Sequence, residues 1–377
     1  MPVKTAEWLQ SLAYYPIPRG GRVRLDLNES PWGPPSRVVE AVAAAAAEGN
    51  RYPRREEVEK LHQLLAGYAG TGEDYIVVGL GGDMVLEKAF HLVAEPGASV
   101  AATEPGFSMY PVYAASFGMR LFPLRLRVEG DRWVLGEEAL LEAVRGGARL
   151  VAVDNPNNPT GSLLLGGEDG LVPVLEEACR RGTLVVLDEA YYEFAGTSLA
   201  GLTEAYDCLL VVRTLSKAFG LAGFRVGYGI ASPGLAEKLR ALMPPFLPRT
   251  SIAAAVAALE DPGYAAERVA ALRREREWLR SRLLGLGAEA YRSWTNFVLA
   301  RVPQLEDPVK ALAEKGVLVR RVALPGGGWM RVTVGSPRDN SVLVSALAEV
   351  LAEAGEDPGA GGGHGLGEGG VEEPGEG

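Results

Sequence analysis

The sequence predicts an α/β protein, a large domain with a mostly parallel sheet followed by a smaller α+β domain. Three observations carry this. Six short runs rich in β-branched and apolar residues alternate with segments of helical period. These runs are apolar on both faces, as strands covered by helices on both sides must be. Past residue 245 the pattern changes to long amphipathic helices and shorter strands.

The six runs are "YIVV" (75–78), "SVAAT" (99–103), "RLVAV" (149–153), "TLVVL" (183–187), "CLLVV" (208–212) and "VGYGIA" (226–231), with helices such as 83–94 and 170–181 between them. Two prolines, Pro244 and Pro245, punctuate the boundary. Beyond it "YAAERVAALRREREWLRSRLL" (264–284) is the clearest amphipathic helix. Strands are expected at 296–302, 317–322 and 329–335, with a closing helix at 339–354. The expected organisation is an N-terminal arm with part of the small domain (1–40), a large domain (41–245), a small domain (246–356) and a tail (357–377). That tail is nearly half glycine and acidic, so it cannot repay its ordering entropy and is expected to be disordered; its His364 has no ligand partners nearby in sequence.

At 377 residues and 47% apolar the chain can bury two cores. A net charge of −10 with no basic stripe argues against nucleic acid or an anionic membrane as partner. The start "MPVKTAEWLQ" has no basic segment leading into an apolar one, and no apolar run is long enough to span a bilayer, so a soluble cytoplasmic protein is expected. Cys179 and Cys208 sit in or beside apolar runs and read as two reduced core thiols.

In open parallel sheets ligands bind beyond the carboxyl ends of the strands, so the residues that follow each run are the informative ones. The first run leads into "GLGGD" (79–83) and a helix, whose free amides can hold a phosphate. The second ends in "EPGFSMY", presenting the flat ring of Phe107. After the third comes "DNPNNPTG" (154–161), with Asn158 in a proline-stiffened loop, and after the fourth "DEAYYEF" (188–194), with Asp188 at a strand tip and Tyr191 three residues on. A buried acid there needs a cation. The fifth gives "RTLSK" (213–217), with Thr214, Ser216 and Lys217, then a turn ending in Arg225. Only seven lysines occur in the chain, against 31 arginines. A phosphate cradle (Gly82, Asp83, Ser216, Arg225), a stacking ring, an acid, a phenol, an amide and a lysine form the set that pyridoxal phosphate requires. Lys217 is then the nucleophile that holds the cofactor and later shuttles the α-proton, its pKa lowered by Schiff-base formation and neighbouring cations.

From about residue 14 to 350 the sequence resembles the fold-type I pyridoxal-phosphate enzymes, through "NPNNPTG", "DEAYYEF" and "RTLSKAFGLAGFRVGY", and within them the histidinol-phosphate aminotransferases. The resemblance implies an aspartate-aminotransferase-like fold with a seven-stranded sheet in the large domain. It implies that Lys217 forms the Schiff base, that Asp188 pairs with the pyridine nitrogen, and that Asn158 and Tyr191 bond the ring hydroxyl. Phe107 stacks on the ring, and Gly82, Asp83, Ser216 and Arg225 hold the phosphate, with Thr214 in the same cofactor site. Tyr52 in "NRYPR" is similar to a tyrosine that reaches the neighbouring subunit's cofactor, which implies a homodimer with a shared active site. Arg331 in "MRVTVGSP" is similar to the arginine that clamps the substrate anion. Arg320 is similar to a second anion contact and Tyr14 to an aromatic that closes over substrate, with Arg321 and Tyr15 one residue away in each case. Asn28 opens the N-terminal signature, "NESPWG", where Asn-Glu-Asn-Pro is usual, and is placed in the substrate site. The implied reaction moves the amino group of histidinol phosphate to 2-oxoglutarate. A threonine-phosphate decarboxylase and a broad aromatic aminotransferase are the alternatives, and a cofactor-binding transcriptional regulator is disfavoured because no helix-turn-helix precedes Asn28.

Overall fold

The computed structural model describes residues 4–12, 20–136 and 138–356. Tyr14, Tyr15 and the tail from 357 onward lie outside the described residues. Among the described residues, thirteen strands form two sheets. In chain order they are β1 (Val23–Leu25), β2 (Ile76–Leu80), β3 (Ser99–Glu104), β4 (Arg120–Glu129), β5 (Arg132–Leu135), β6 (Leu150–Asp154), β7 (Leu184–Asp188), β8 (Leu209–Thr214), β9 (Val226–Ala231), β10 (Glu289–Ala290), β11 (Phe297–Arg301), β12 (Val317–Arg321) and β13 (Trp329–Thr333).

The larger sheet runs β2-β9-β8-β7-β6-β3-β4-β5. Every pair from β8 across to β4 is parallel, whereas β9 is antiparallel to both neighbours and β5 to β4. The sheet therefore has eight strands where seven were expected. The hairpin β4–β5 extends the edge, and its sequence gives little warning: "RLFPLRLRVE" interleaves apolar residues with arginines and carries Pro123, which only an edge position tolerates well. The central strands β6, β7 and β8 are buried along their whole length, which is why their sequences show no polar alternation.

The smaller sheet runs β1-β12-β13-β11-β10. β1 pairs in parallel with β12, Val23 opposite Val317 and Leu25 opposite Val319, so the N-terminal segment completes a sheet formed almost 300 residues later. Helix Pro262–Gly285 packs on this unit through Ala265, Val269, Leu272, Arg276, Leu279 and Leu283, alternating four- and three-residue spacings that make one continuous stripe. Arg276 within that stripe donates Nη1 to the Thr295 carbonyl at 2.9 Å, which satisfies its burial.

The hairpin β4–β5 is also where the two sheets meet. Trp133 lies 6.0 Å from the rings of both Tyr291 and Trp329, Arg280 pairs with Asp131 at 2.7 Å, and the Arg292 N–H donates to the Asp131 carbonyl at 2.7 Å.

The expectation of two reduced thiols does not hold. Cys179, near the end of helix Val172–Arg181, and Cys208, immediately before β8, form a disulfide with their Cα atoms 5.2 Å apart. Packing the helix against the sheet brings the two within bridging range, which separation in sequence does not reveal. Among the described residues, no helix is long and apolar enough to cross a membrane.

Candidate active site

The carboxyl ends of β6, β7 and β8 open into a cavity of about 580 Å³. Every expected site residue among the described ones except Tyr52 lines it: Gly82, Asp83, Phe107, Asn158, Asp188, Tyr191, Thr214, Ser216, Lys217, Arg225, Asn28, Arg320 and Arg331. Tyr52 lies elsewhere, 76% exposed and stacked on Phe246 at 4.7 Å.

One end of the cavity is a cradle for an anion. Helix Gly81–Leu92 begins where β2 ends, so its first amides have no intrahelical acceptor, and Gly82 and Asp83 of this first turn line the cavity. Gly81 takes φ +80, and a Cβ there would lie 2.5 Å from Arg225 Nη2; only glycine lets the guanidinium fold across the helix start. Gly227 on β9 is equally constrained, since its Cβ would meet Gly82 N at 2.2 Å. Arg225 itself holds φ +53, a conformation that non-glycine residues rarely adopt. Its Nη2 bonds Asp83 Oδ2 at 2.6 Å and its Nη1 donates to Ser216 Oγ at 3.5 Å. Thr214 stands behind Ser216: its Oγ1 donates to Ser216 Oγ at 3.0 Å and accepts from Ser216 N–H at 3.1 Å.

The floor is acidic. Asp188 ends β7, is 7% exposed, and accepts a hydrogen bond from Ala190 N–H at 3.0 Å. Burial pushes its pKa up to about 8, and the charge of Asp154 adds to the rise. Asp154, the register partner of Asp188 on β6, is 2% exposed. It accepts from Thr103 Oγ1, from Asn157 Nδ2 at 2.8 Å and from Asn158 N–H at 2.8 Å; burial nevertheless raises its pKa to about 6. The sequence reading passed over Asp154, although it ends an apolar run just as Asp188 does.

The side walls carry the nucleophile and the polar groups around it. Lys217 Nζ donates to the carbonyls of Leu27 (3.2 Å) and Asn28 (3.1 Å). Burial lowers its pKa to about 8, with the positive charge of Arg331 as the second cause, so more of it is the neutral amine near neutral pH than of an exposed lysine. The Tyr191 phenol is pushed up to about 12 by burial and accepts from Asn28 Nδ2 at 2.9 Å, leaving its own proton to donate.

Asn28 ties the whole site together. Its backbone (φ +54) and side chain engage Thr333 of β13, its carbonyl also accepts from Asn296 Nδ2 at 3.0 Å, and it meets Lys217 and Tyr191 of the larger unit. β1 delivers it there by pairing with β12. Arg331 Nη1 donates to Asn158 Oδ1 at 2.6 Å and Nη2 to the Asp26 carbonyl at 2.8 Å. Arg320 faces Arg331 across β12 and β13 and lines the cavity, whereas Arg321 turns outward to an ion pair with Asp307.

The pattern of the family described as aminotransferase class I and II matches residues 22–347. This chain belongs to the class I and II aminotransferases. The histidinol-phosphate aminotransferase of Sulfurisphaera tokodaii is 37% identical over 330 residues, covering 87% of this chain and 90% of that relative. Histidinol-phosphate aminotransferase 1 of Cupriavidus pinatubonensis is 35% identical over 347 residues, covering 89% and 90%. Among solved structures, histidinol-phosphate aminotransferase from Sinorhizobium meliloti in complex with pyridoxal-5'-phosphate superposes with a TM-score of 0.82 at 29% identity, covering 94% of this chain and 99% of that one. The aminotransferase fold here is therefore that of the fold-type I pyridoxal-phosphate enzymes.

The cavity suits that cofactor. Amides, a hydroxyl and a guanidinium converge at one end, and two buried carboxylates without a paired cation wait at the other. Between them stand a lysine with a lowered pKa and the half-buried ring of Phe107. A cofactor with a phosphate at one end and a protonatable ring nitrogen at the other meets both demands.

Proposed function

We propose that this aminotransferase moves the amino group of histidinol phosphate to 2-oxoglutarate, with pyridoxal phosphate as its cofactor. The observation that carries the choice of substrate is the pairing of Arg320 with Arg331, both of which line the cavity that holds Lys217. Histidinol phosphate has no carboxylate; its anion is a phosphate monoester, nearly doubly charged at neutral pH. Two guanidiniums on adjacent strands suit that dianion and, in the second half-reaction, the carboxylates of the acceptor.

Bound pyridoxal phosphate supplies the electron sink for the carbanion formed at the substrate α-carbon. Lys217 in its neutral form would take the α-proton from substrate and, as the ammonium, would be the acid that gives it up again. Asp188 would hold the ring nitrogen protonated, Asn158 and Tyr191 would bond the ring hydroxyl, and Phe107 would stack on the ring. Gly82, Asp83, Ser216 and Arg225 hold the phosphate, with Thr214 fixing Ser216. Asn28, Arg320 and Arg331 orient substrate.

Tyr52 belongs to a neighbouring active site in this reading, which makes the working form a homodimer; its 76% exposure leaves it available to a second copy. The two sheets are taken as the centres of a large domain (41–245) and a small one (246–356). The enzyme is placed in the cytoplasm, where intracellular disulfides such as Cys179–Cys208 are found chiefly in extreme thermophiles.

Single-turnover reactions test the substrate. Enzyme loaded with pyridoxal phosphate is mixed separately with histidinol phosphate, threonine phosphate, phenylalanine and tyrosine, and products are followed by mass spectrometry. Conversion to pyridoxamine phosphate chiefly with histidinol phosphate is expected. Carbon dioxide release from threonine phosphate would make the protein a decarboxylase, and equal turnover of the aromatic amino acids a broad aminotransferase.

A further inference from the structure

The cavity floor holds one carboxylate more than a single pyridinium requires. Asp154 and Asp188 are direct register partners at the ends of adjacent parallel strands, which lie about 4.8 Å apart. Both side chains are more than nine-tenths buried, and among the described residues neither forms an ion pair. The two are anchored differently. Asp188 has one backbone donor, whereas Asp154 has three donors from two elements: Thr103 at the end of β3, and Asn157 and Asn158 of the loop after β6. Thr103 leads into the segment that carries Phe107, and Asn158 is itself gripped by Arg331.

We propose that Asp154 is a positioning residue of the cofactor site: locked by Thr103, Asn157 and Asn158, it aims the Asn158 loop at the ring and sets a second fixed negative charge beside Asp188, under the ring nitrogen. It works through Asp188 rather than by touching substrate. Like charges side by side make an anionic Asp188 unfavourable alone, and for the same reason they increase the affinity of that corner for a cation. Asp83 and Glu189 add negative charge around Asp188, and the phenols of Tyr110, Tyr113 and Tyr191 lie within its field; the cations that face the pair from the same cavity are Arg213, Lys217, Arg225, Arg320 and Arg331. The Tyr110 hydroxyl, fully buried and without a hydrogen-bond partner, donates to neither carboxylate.

The inference rests on the assignment of Asp188 to the ring nitrogen, and one binding comparison separates the two. Dissociation constants are measured for pyridoxal phosphate and for its deaza analogue, in which a C–H replaces the ring nitrogen, on wild type and on Asp154→Asn, Asp188→Asn and Thr103→Val. The readout is the preference for the nitrogen-containing cofactor, which a purely structural defect leaves unchanged because it weakens both ligands alike. Asp154→Asn is expected to lower the preference roughly tenfold, the equivalent of about one pKa unit. Thr103→Val keeps the charge and should weaken both ligands together. A preference unmoved in Asp154→Asn but lowered in Asp188→Asn overturns the role given to Asp154. A preference unmoved in both overturns the assignment of Asp188 as well. Asp154→Ser, smaller and still able to accept from Asn158 N–H, repeats the comparison if the asparagine variant folds poorly.

Discussion

Asp188 and Glu189 are consecutive in the chain and both are buried, yet they occupy opposite electrostatic surroundings. Asp188 faces the cavity, has one backbone donor and looks onto a second carboxylate. Glu189 turns away from it and is met by Arg213 Nε at 3.0 Å, Ser198 Oγ at 2.8 Å and the Leu199 N–H at 2.8 Å. The Arg213 guanidinium also lies 3.8 Å from the centre of the Tyr192 ring. One acid is completed by the protein and the other is left for a ligand to complete. The side toward the cavity carries function at the expense of stability, and the side away from it does the reverse.

Three changes would break or sharpen that contrast. The largest effect is expected from Lys217→Ala, which should lower turnover by about 10⁴-fold or more while the thermal midpoint of the cofactor-free protein stays level or rises. Residual turnover near the wild-type rate would remove Lys217 from the chemistry.

Glu189→Ala tests the opposite side. It strands the buried Arg213 charge and should cost about 3–5 kcal/mol in urea unfolding, with turnover per folded molecule changed far less than by Lys217→Ala. A stability loss below about 1 kcal/mol would mean that the ion pair is structurally idle.

The smallest effect is a slope. Folding raises the pKa of Asp188 from its ordinary 3.8 to about 8, so the folded chain holds this proton more tightly than the unfolded one. Its contribution is fully present below about pH 4 and is lost as the pH rises through about 8. Cofactor-free wild type should therefore lose thermal stability between pH 5 and 8, and Asp188→Asn should flatten that decline. Parallel slopes in the two proteins would show that Asp188 ionises without penalty, and the contrast with Glu189 would collapse.

The same rule found most of the cavity in the sequence. Asp188, Lys217 and the helix start at Gly81 all come just after a short apolar run, so their position at a strand end could be read from short stretches of chain. Asp154 obeys the rule equally well but hides in a loop sequence rich in Asn and Pro, residue types that also make ordinary turns. Gly81 is less visible than Gly82, because part of its need to lack a Cβ comes from Arg225, a residue more than 140 positions away. The register of Arg320 and Arg321 required the pairing of β12 with β13.

What the sequence determined by itself is whatever depends on near neighbours: the buried strands, the stripe of helix Pro262–Gly285, the phosphate-facing helix start and the residues at the strand tips. Periodicity and strand-end chemistry are local properties, so the chain displays them directly. Only the tertiary structure decided the rest. It brought Asn28 to Thr333 across 305 residues, put β1 into the smaller sheet, joined Cys179 to Cys208, and placed Asp154 beside Asp188. These depend on which elements pack together, and that is set by the burial of whole faces rather than by any short stretch of residues.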